Sequence, residues 1–300
     1  MILDDMHKNG IITKGIGGFY YVDCGEKIVE CHARGKFRNK DLSPIVGDKV
    51  NVLINEDGTG SICEIYERKN FLVRPEVANI DAIILVSAAR SPMPDLLLTD
   101  KLLVTAESKG IECIICLNKT DLADKAEVEA FTQIYQKAGY KILTVCAAEN
   151  EGIDEIKSIV CGKTVAFAGL SGVGKSSIIK SLTGIDLKTG DVSRFERGRH
   201  TTRHVELIST CGGFVFDTPG FSRFDADEIF AGDLWQYFPE IRKRHGKCKF
   251  RTCTHRSEPG CVVSEACMRG EIAESRLENY KLLYNKLIEI KDWQRKDVHQ

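Results

Sequence analysis

The stretch Gly169-Leu-Ser-Gly-Val-Gly-Lys175-Ser176 decides the fold of this 300-residue chain. It matches GxxxxGK[ST] and stands between the apolar run TVAFA and the helical run SSIIKSLTG. In that context the glycines let consecutive backbone N–H groups form a concave anion site, to which the helix N-terminus adds its positive end. We predict a phosphate-binding loop in which Lys175 contacts the β- and γ-phosphates and Ser176 is a ligand of Mg²⁺. The predicted nucleotide-binding residues here are Gly169, Leu170, Ser171, Gly172, Val173, Gly174, Lys175, Ser176 and Ser177.

A second motif, Asn118-Lys-Thr-Asp121, ends the apolar run ECIICL and predicts which base is bound. A carboxylate at Asp121 accepts hydrogen bonds from both N1–H and the 2-amino group of guanine. Adenine offers neither donor, so ATP would leave this carboxylate unpaired at a cost of several kcal/mol. We expect Asn118 to brace the loop and the aliphatic stem of Lys119 to cover the base. The two motifs together indicate GTP and GDP as ligands.

A third motif, Asp217-Thr-Pro-Gly220, follows the strand-like run GFVFD and reads as DxxG. Asp217 is expected to hold Mg²⁺ through water, and the Gly220 N–H to sense the γ-phosphate. Ordinary GTPases have the order P-loop, DxxG, NKxD, whereas here NKxD comes first. The motifs still meet if the same parallel sheet has been cut and rejoined elsewhere, because base and phosphates both bind at the carboxyl ends of its strands. The order predicts a circularly permuted GTPase domain.

Hydrophobic periodicity divides the chain into three predicted domains, residues 1–70, 71–232 and 233–300. The first has short β-rich runs broken by glycine, which predict a small all-β barrel of the OB or the SH3-like type. The second alternates buried-strand and helical runs, which predicts a parallel sheet with helices on both faces. The third is rich in cysteine and basic residues and ends in an amphipathic helix, predicted from Glu271 to about Trp293.

The composition is that of an ordinary soluble protein, with 43% hydrophobic and 28% charged residues and a formal net charge of -1. Near-neutrality excludes a global electrostatic attraction to nucleic acid or to membranes, so any such attraction is local. No apolar run approaches the roughly 18 residues that a membrane span needs. The N-terminal MILDDMHKNG has early acidic residues and lacks the apolar segment of a signal peptide. We therefore expect a cytoplasmic protein with no membrane partner.

A cluster near the C-terminus, Cys248, Cys253, His255 and Cys261, offers three thiolates and one imidazole. Tetrahedral Zn²⁺ takes four such sulfur and nitrogen ligands, and a segment this short has little hydrophobic core of its own. We predict one structural zinc ion at these four residues. Two further candidate ligands that rank below them are His245 and Cys267.

Most other cysteines stand singly in apolar, strand-like runs, which is not the spacing of a disulfide framework. We interpret them as small buried hydrophobic residues. These cysteines are Cys24, Cys31, Cys63, Cys113, Cys116, Cys161 and Cys211.

The motif order and its flanks resemble the RsgA/YjeQ/YloQ family, the circularly permuted GTPases of small ribosomal subunit assembly. The resemblance covers nearly the whole chain and rests on VGDKV, RPEVANID, LNKTDL, GLSGVGKSS, RGRHTTR, DTPGFSRF and CxxxxCxHxxxxxC. It implies an N-terminal OB-fold, a GTPase domain that uses Mg²⁺, and a C-terminal zinc knuckle with helices. It also aligns Cys146 and Ala147 with the family's base-contacting Ser-Ala pair, in which the Ala147 N–H is expected to reach the guanine carbonyl.

The segment 197–203 lies where the family has switch I, so Thr201 or Thr202 is implied as a Mg²⁺ ligand. After DxxG the chain has Phe221, where many regulatory GTPases carry a glutamine that orients the attacking water. An apolar side chain cannot orient water, so His200 is the implied water-positioning residue, with a solvated loop histidine as the alternative. The predicted catalytic residues are then Lys175, His200 and Gly220.

Basic residues cluster in two places, and no acidic residue lies between positions 242 and 256. A charged run is often only a solvated face, but beside a zinc knuckle or an OB-type barrel it favours contacts with RNA phosphates. The RNA-contact candidates are Arg34, Lys36, Arg38 and Lys40 in the barrel, and Arg242, Lys243, Arg244, Lys247, Lys249 and Arg251 near the zinc ligands.

The resemblance implies a GTPase that acts late in maturation of the small ribosomal subunit. It would bind the subunit and its rRNA through the barrel and the zinc domain and leave after hydrolysis. Two other functions are compatible with the motifs: a GTP-dependent switch that acts on a protein partner, and a passive RNA-binding assembly chaperone with a purely structural nucleotide site. A monomer is expected.

Overall fold

The computed structural model describes residues 6–33, 37, 43–73, 75–185, 205–217 and 229–290. The chain folds into two compact units, each assembled from separate stretches of sequence. The first comprises Met1–Ala82, Ile156–Phe167 and Ser176–Gly220, and the second comprises Ile83–Glu155, Ala168–Lys175 and Phe221–Gln300. None of the helices in the described part of the chain combines the length and the apolar character that crossing a bilayer requires.

The N-terminal part of the first unit is a closed barrel of five strands. The strands are β1 (His7–Ile16), β2 (Phe19–Asp23), β3 (Ile28–Ala33), β4 (Lys49–Ile54) and β5 (Gly60–Ile65). Antiparallel β1 and β4, together with the parallel pair β3 and β5, close the barrel in the order β1-β2-β3-β5-β4. Alternation fills its interior, because Val29 and Cys31 of β3 are buried while Ile28, Glu30 and His32 are exposed. The predicted barrel is confirmed, and it is of the OB type.

The strands that follow the barrel form both parallel and antiparallel pairs. After a short antiparallel pair, β6 (Phe71–Val73) and β7 (Glu76–Ala78), come β8 (Ala82–Ala88), β9 (Glu112–Asn118) and β10 (Lys141–Thr144). In the second unit these lie in the order β10-β9-β8, with β10 parallel to β9. The first unit holds β11 (Thr164–Ala168), β12 (Ile208–Thr210) and β13 (Gly213–Asp217), with β11 parallel and β12 antiparallel to β13. Every residue of β8 and β11 is buried, as in sheets covered on both faces.

In the described residues, four helices connect these strands. They are α1 (Leu96–Ser108), α2 (Lys125–Ala138), α3 (Ile153–Val160) and α4 (Lys175–Thr183). Local sequence sets their ends: the Asp95 carboxylate accepts from the Leu98 N–H at the start of α1, and Asp124 and Glu127 form a reciprocal capping box on α2. Gly139 ends α2 at φ 98°, in the left-handed region that glycine adopts readily.

The C-terminal region packs short helices around its own hydrophobic core. A 3-10 helix (Ala231–Tyr237) precedes α5 (Pro239–Arg242), α6 (Val262–Met268) and α7 (Glu274–Glu289). Leu234, Phe238 and Val263 are fully buried there, and Tyr280 and Leu283 of α7 are 1% exposed. The long helix was predicted from Glu271 to about Trp293, which is wrong by three residues at its start and too long at its end, since α7 stops at Glu289. It begins at Glu274 because Gly270, at φ 72°, ends the preceding segment and Ala273 is an extended N-cap.

A buried ion network joins this core to α1. The Arg276 guanidinium of α7 donates to Asp100 of α1 at 2.6 Å and to Glu240 of α5 at 2.8 Å. Asn279 donates to the second oxygen of Asp100 at 2.7 Å. All three charged side chains are at most 2% exposed, so each charge depends on the others for its compensation. Nothing in the local sequence around these positions indicated the network.

Of the seven cysteines predicted to be small buried hydrophobic residues, five are free and two form a disulfide. Cys31, Cys113 and Cys116 are buried, and Cys24 and Cys63 are half-buried. Burial raises the pKa of the Cys116 thiol to about 12, which suits its predicted role as a small hydrophobic residue.

The prediction is wrong for Cys161 and Cys211, which form a disulfide across a sequence separation of 50 residues. Both residues are exposed, at the turn after α3 and at the turn between β12 and β13. Those turns also meet through a backbone hydrogen bond from the Gly162 N–H to the Cys211 carbonyl at 3.1 Å. Their proximity is a tertiary effect that spacing could not indicate.

Candidate guanine-nucleotide site and metal centre

The phosphate loop connects β11 to α4, as its sequence context predicted. Gly169 leaves the strand at φ 139°, and a Cβ there would lie 2.1 Å from the carbonyl oxygen of Val86 in β8. Only glycine permits this close approach. Lys175, the first residue of α4, donates from Nζ to the carbonyls of Gly169 at 3.1 Å and Leu170 at 2.8 Å. Its ammonium group therefore lies inside the curve of the loop, where it can meet phosphate oxygens.

Asn118, at the end of β9, links the base motif to the phosphate loop. Its side chain is 2% exposed, and its Nδ2 donates to the Val173 carbonyl at 2.9 Å. Its Oδ1 accepts from the Ala147 N–H at 3.1 Å. A Cβ at Gly174 would lie 2.2 Å from Asn118 Nδ2, and φ there is 97°, so this glycine also has no substitute. One amide thus holds three segments in register.

Lys119 follows in the left-handed conformation, at φ 59°. Its Nζ donates to the carbonyl of Ser91 and, at 2.7 Å, to the carbonyl of Gly172. The side chain therefore extends from the base motif to the phosphate loop. An aliphatic stem held at both ends provides a fixed surface against which a planar base can lie.

Asp121 lies beside Cys146, one of the two residues aligned with the family's base-contacting Ser-Ala pair. The Cys146 thiol donates to Asp121 Oδ1, with 3.2 Å between Sγ and oxygen. Burial and this hydrogen bond raise the pKa of Cys146, so the thiol stays protonated and remains a donor. The carboxylate that is predicted to read guanine is therefore oriented by a neighbouring side chain. The Ala147 N–H, expected at the guanine carbonyl, donates to Asn118, so a base would share that donor.

The predicted Mg²⁺ ligands and switch residues are described only in part. Ser176 lies in the first turn of α4, and the backbone of Asp217 pairs with Phe167 where β13 runs parallel to β11. This register brings the backbone of Asp217, the first residue of the DxxG motif, level with Phe167 of β11. Outside the described residues lie His200, Thr201, Thr202, Gly220 and the barrel candidates Arg34, Lys36, Arg38 and Lys40.

The four predicted metal ligands converge at one point. Their ligand atoms all lie within 4.8 Å of one another, and Cys253, His255 and Cys261 are buried. His255 Nδ1 is 3.5 Å from Cys248 Sγ, 3.6 Å from Cys253 Sγ and 3.5 Å from Cys261 Sγ. These are close to the edge lengths of a tetrahedron with metal–ligand bonds of about 2.0–2.3 Å. The cluster could therefore hold a metal ion that takes three thiolates and one imidazole.

The thiols of the cluster differ in acidity. Burial raises the pKa of Cys253 to about 12. Burial also opposes ionisation of Cys261, but hydrogen bonds from Ser264 and Val263 at the start of α6 outweigh it and lower the pKa of that thiol. Burial lowers the pKa of His255 and so favours the neutral imidazole, the form that binds metal.

A ring stack supports the imidazole of the cluster and was not predicted in that role. His245 Nδ1 lies 3.1 Å from His255 Nε2, the nitrogen opposite the one that faces the thiols. On its other side His245 stacks on Trp235, with ring centroids 3.6 Å apart and an interplanar angle of 4°. His245 is therefore an outer partner of His255, and the lower-ranked candidate Cys267 lies outside the group of four among the described residues.

The basic candidates near the cluster separate by their contacts. Arg242 pairs with Glu107 at 3.2 Å, and Arg244 pairs with Glu271 at 2.8 Å. Each of these two guanidinium groups therefore already forms an ion pair with a carboxylate of the protein itself. Arg242 is nevertheless exposed, as are the other candidates Lys243, Lys247, Lys249 and Arg251.

Comparison with known proteins accounts for this arrangement. The sequence model of the RsgA GTPase family matches residues 65–227, and that of the RsgA N-terminal domain matches residues 9–62. The chain belongs to the RsgA GTPase family. It is accordingly a GTP hydrolase, and the prediction of a permuted GTPase with an N-terminal barrel is confirmed.

Individual relatives cover almost the full length. The chain is 44% identical over 282 residues to the small ribosomal subunit biogenesis GTPase RsgA of Clostridium novyi, spanning 93% of this chain and 97% of that protein. With the protein of the same name from Geobacillus thermodenitrificans the identity is 45% over 276 residues, spanning 90% and 94%.

Solved structures agree with the fold. The crystal structure of YjeQ from Thermotoga maritima matches with a TM-score of 0.82 and 35% identity, over 95% of this chain and all of that one. The crystal structure of YloQ, described as a circularly permuted GTPase, matches with a TM-score of 0.80 and 34% identity, over 95% and 96%.

Proposed function

We propose that this GTP hydrolase is a cytoplasmic, monomeric factor for late maturation of the small ribosomal subunit. Relatives that are more than 40% identical over nine tenths of the chain bear the name of small-subunit biogenesis GTPases. The observation that carries the proposal is the hydrogen bond from Asn118 to Val173, which holds the guanine motif against the phosphate loop despite their reversed order. A site assembled in this way supports guanine-nucleotide binding as the working state of the molecule.

Hydrolysis at this site depends on positioning and charge. Lys175 stabilises the β- and γ-phosphates, and backbone N–H groups of the loop surround them. When bound, Mg²⁺ neutralises charge on these phosphates, and its ligands would be Ser176, Asp217 and either Thr201 or Thr202. Because Phe221 stands where many GTPases have a water-orienting glutamine, His200 orients the attacking water. The Gly220 N–H contacts the γ-phosphate and so distinguishes GTP from GDP.

The metal cluster takes one structural Zn²⁺. Three thiols and one imidazole are the donor set of a closed zinc site, and the tetrahedral separations support it. The ion would hold together residues 248–261, which contain only turns and irregular backbone. Its role is to stabilise the C-terminal domain, residues 233–300, as a rigid body that can bind RNA.

Both outer domains bind the ribosomal subunit and its rRNA. The barrel domain, residues 1–70, contributes Arg34, Lys36, Arg38 and Lys40, and the GTPase domain spans residues 71–232. Among the C-terminal candidates, we favour the exposed Lys243, Lys247, Lys249 and Arg251 as phosphate contacts over Arg242 and Arg244, because those two arginines pair with Glu107 and Glu271. GTP orders the switch and DxxG segments, and hydrolysis releases the factor.

The test is GTPase activity with and without purified small subunits. We expect the subunit to accelerate a slow intrinsic rate, because the usual water-orienting glutamine is missing. Lys175→Ala should abolish hydrolysis, with Lys180→Ala, an exposed lysine of the same helix, as the matched control. Equal rates in the presence and absence of subunits would contradict the proposal.

Co-sedimentation distinguishes the two alternatives. Failure to bind small subunits with a non-hydrolysable GTP analogue would favour a switch that acts on a protein partner. Normal subunit maturation with Lys175→Ala would favour a passive RNA-binding chaperone. In both cases the assignment of the permuted GTPase fold would be unaffected, but the proposed role in small-subunit maturation would be contradicted.

A further inference from the structure

We propose that Phe250, between two ligands of the metal cluster, is a stacking site for one unpaired nucleobase of RNA, with Lys249 and Arg251 contacting the adjacent phosphates. This inference rests on the proposed function, because it specifies how the C-terminal domain would bind RNA. It adds a base-contacting residue and a preference for single-stranded RNA to a surface of exposed cations.

The first observation is the exposure of the ring. Phe250 is 45% exposed, although phenylalanine gains by being buried. It lies in the turn between Cys248 and Cys253, where Lys249, Arg251 and Thr252 are also exposed. Phe250 is not one of the side chains that pack in the described hydrophobic core of the C-terminal region. The ring therefore contributes little to that core and is available to a ligand.

The second observation is that the turn is held in place on both sides of the ring. The Lys249 N–H donates to the Gly260 carbonyl at 3.1 Å, and the Cys253 N–H donates to the Phe250 carbonyl at 3.2 Å. The cysteines that flank the turn converge on the metal cluster. A ring on a fixed backbone loses little conformational entropy when a base stacks on it.

The third observation is the charge around the ring. Lys249 Nζ lies 5.6 Å from the Phe250 ring centroid, and Lys247 and Arg251 are exposed nearby in sequence. The nearest acidic residue that follows, Glu258, accepts from the Thr254, Arg256 and Ser257 N–H groups. Partial burial opposes its ionisation, but the hydrogen bonds from Thr254 lower its pKa to about 2. Its charge is thus satisfied within the loop.

These features together select the ligand. Cations flanking an exposed ring match a strand that presents a base plane beside its phosphates, and base–aromatic stacking tolerates every base. A double helix offers phosphates but no free base plane, so the ring would be unused there. Single-stranded RNA, or an unpaired loop within folded RNA, is therefore the ligand that uses both features of the turn.

The experiment uses the full-length, zinc-loaded protein and a labelled RNA of about 12 nucleotides without self-complementarity, long enough for one binding site and read out by fluorescence anisotropy. Phe250→Ala should weaken binding about 5- to 150-fold, the range measured for one stacked base, and Phe250→Trp should restore it. Phe71→Ala removes an exposed ring of the first unit and is the matched control. Lys249→Gln should lower the salt dependence, log Kd against log salt, by about 0.7, whereas Phe250→Ala should leave it unchanged.

A double-mutant cycle with abasic RNA tests whether Phe250 stacks on a base. If Phe250 stacks on a base, an oligonucleotide that lacks its bases should bind wild type and Phe250→Ala with equal affinity. An equal loss on intact and abasic RNA, or no loss on either, would overturn the inference. Zinc content of each variant shows whether the turn has stayed folded. Co-sedimentation with small subunits is measured separately. The proposed function can therefore fail while Phe250 still stacks on a base, and Phe250 can fail to stack while the protein still binds subunits.

Discussion

The side-chain amide of Asn118 donates to the backbone carbonyl of Val173, with 2.9 Å between nitrogen and oxygen and a sequence separation of 55. The same side chain accepts from the Ala147 N–H at 3.1 Å. The base motif and the phosphate loop are far apart in the sequence, so no short connection can set their spacing. A buried side-chain amide sets it instead, and the geometry of the nucleotide site depends on this residue.

Asn118→Ala should therefore weaken GDP and GTP binding at least tenfold, a change of about 1.4 kcal/mol, because the loop loses both hydrogen bonds. The free energy of unfolding should fall by about 1–3 kcal/mol, since the buried Val173 carbonyl and the partly buried Ala147 N–H lose their partner. Titration with a fluorescent GDP analogue and urea denaturation measure the two effects. Gln133→Ala, which removes an exposed amide from α2, is the control. An unchanged Kd for GDP would contradict the bracing role.

His245→Ala should lower zinc affinity about 10- to 100-fold, because the His255 imidazole loses the group that orients its second nitrogen. Competition with a chromogenic zinc chelator measures this affinity directly, independently of GTP hydrolysis. His7→Ala, which removes an exposed histidine of the barrel, should leave the zinc affinity at the wild-type value. Equal zinc affinities of His245→Ala and wild type would show that the stack with Trp235 is only structural.

Reduction of the bond between Cys161 and Cys211 should destabilise the oxidised protein by about 4 kcal/mol, the loop entropy expected for a separation of 50 residues. Cys161→Ser should have the same effect without reductant, and Cys24→Ser, at a free cysteine, should not. Thermal melting with and without reductant measures the difference. Alkylation of the unreduced, unfolded chain should modify ten of the twelve cysteines. Modification of all twelve would refute the disulfide.

Arg276→Met should destabilise the protein by about 3–5 kcal/mol, because Asp100 and Glu240 would remain buried without their counter-ion. Arg269→Met is the matched control, since Arg269 pairs with Glu271 on the surface, where side-chain exposures are 57% and 44%. An exposed pair of this kind contributes about 0–1 kcal/mol. Urea denaturation of both variants tests the contrast, and similar losses in the two would refute the network's role.

Much of the site could be predicted from the sequence because its requirements are local. A phosphate loop needs glycines at positions such as Gly169 and Gly174, where any side chain would collide with Val86 or Asn118. A zinc site needs four ligands of the right type within reach of one another. Such requirements leave a spaced pattern of residue types in the chain, whatever the surrounding fold.

Other contacts left no such pattern. Arg276 meets Asp100 across a sequence separation of 176 residues, and neither residue belongs to a motif. Cys161 and Cys211 resemble buried strand cysteines until the turns that carry them are brought side by side. His245 is an ordinary loop histidine in sequence, and its place between Trp235 and His255 depends on how the 3-10 helix packs beside the metal loop.

The sequence by itself determined that this protein has the motifs of a guanine-nucleotide site in permuted order, a cluster of candidate metal ligands and the barrel that precedes them. Those features follow from backbone conformation, side-chain chemistry and hydrophobic periodicity, which act over a few residues. Only the tertiary structure decided which distant groups support that chemistry, namely the Asn118 amide on Val173, the His245 ring on His255 and the buried charges around Arg276. The reason is physical, because hydrogen bonds and ion pairs depend on distances of about 3 Å that packing alone sets.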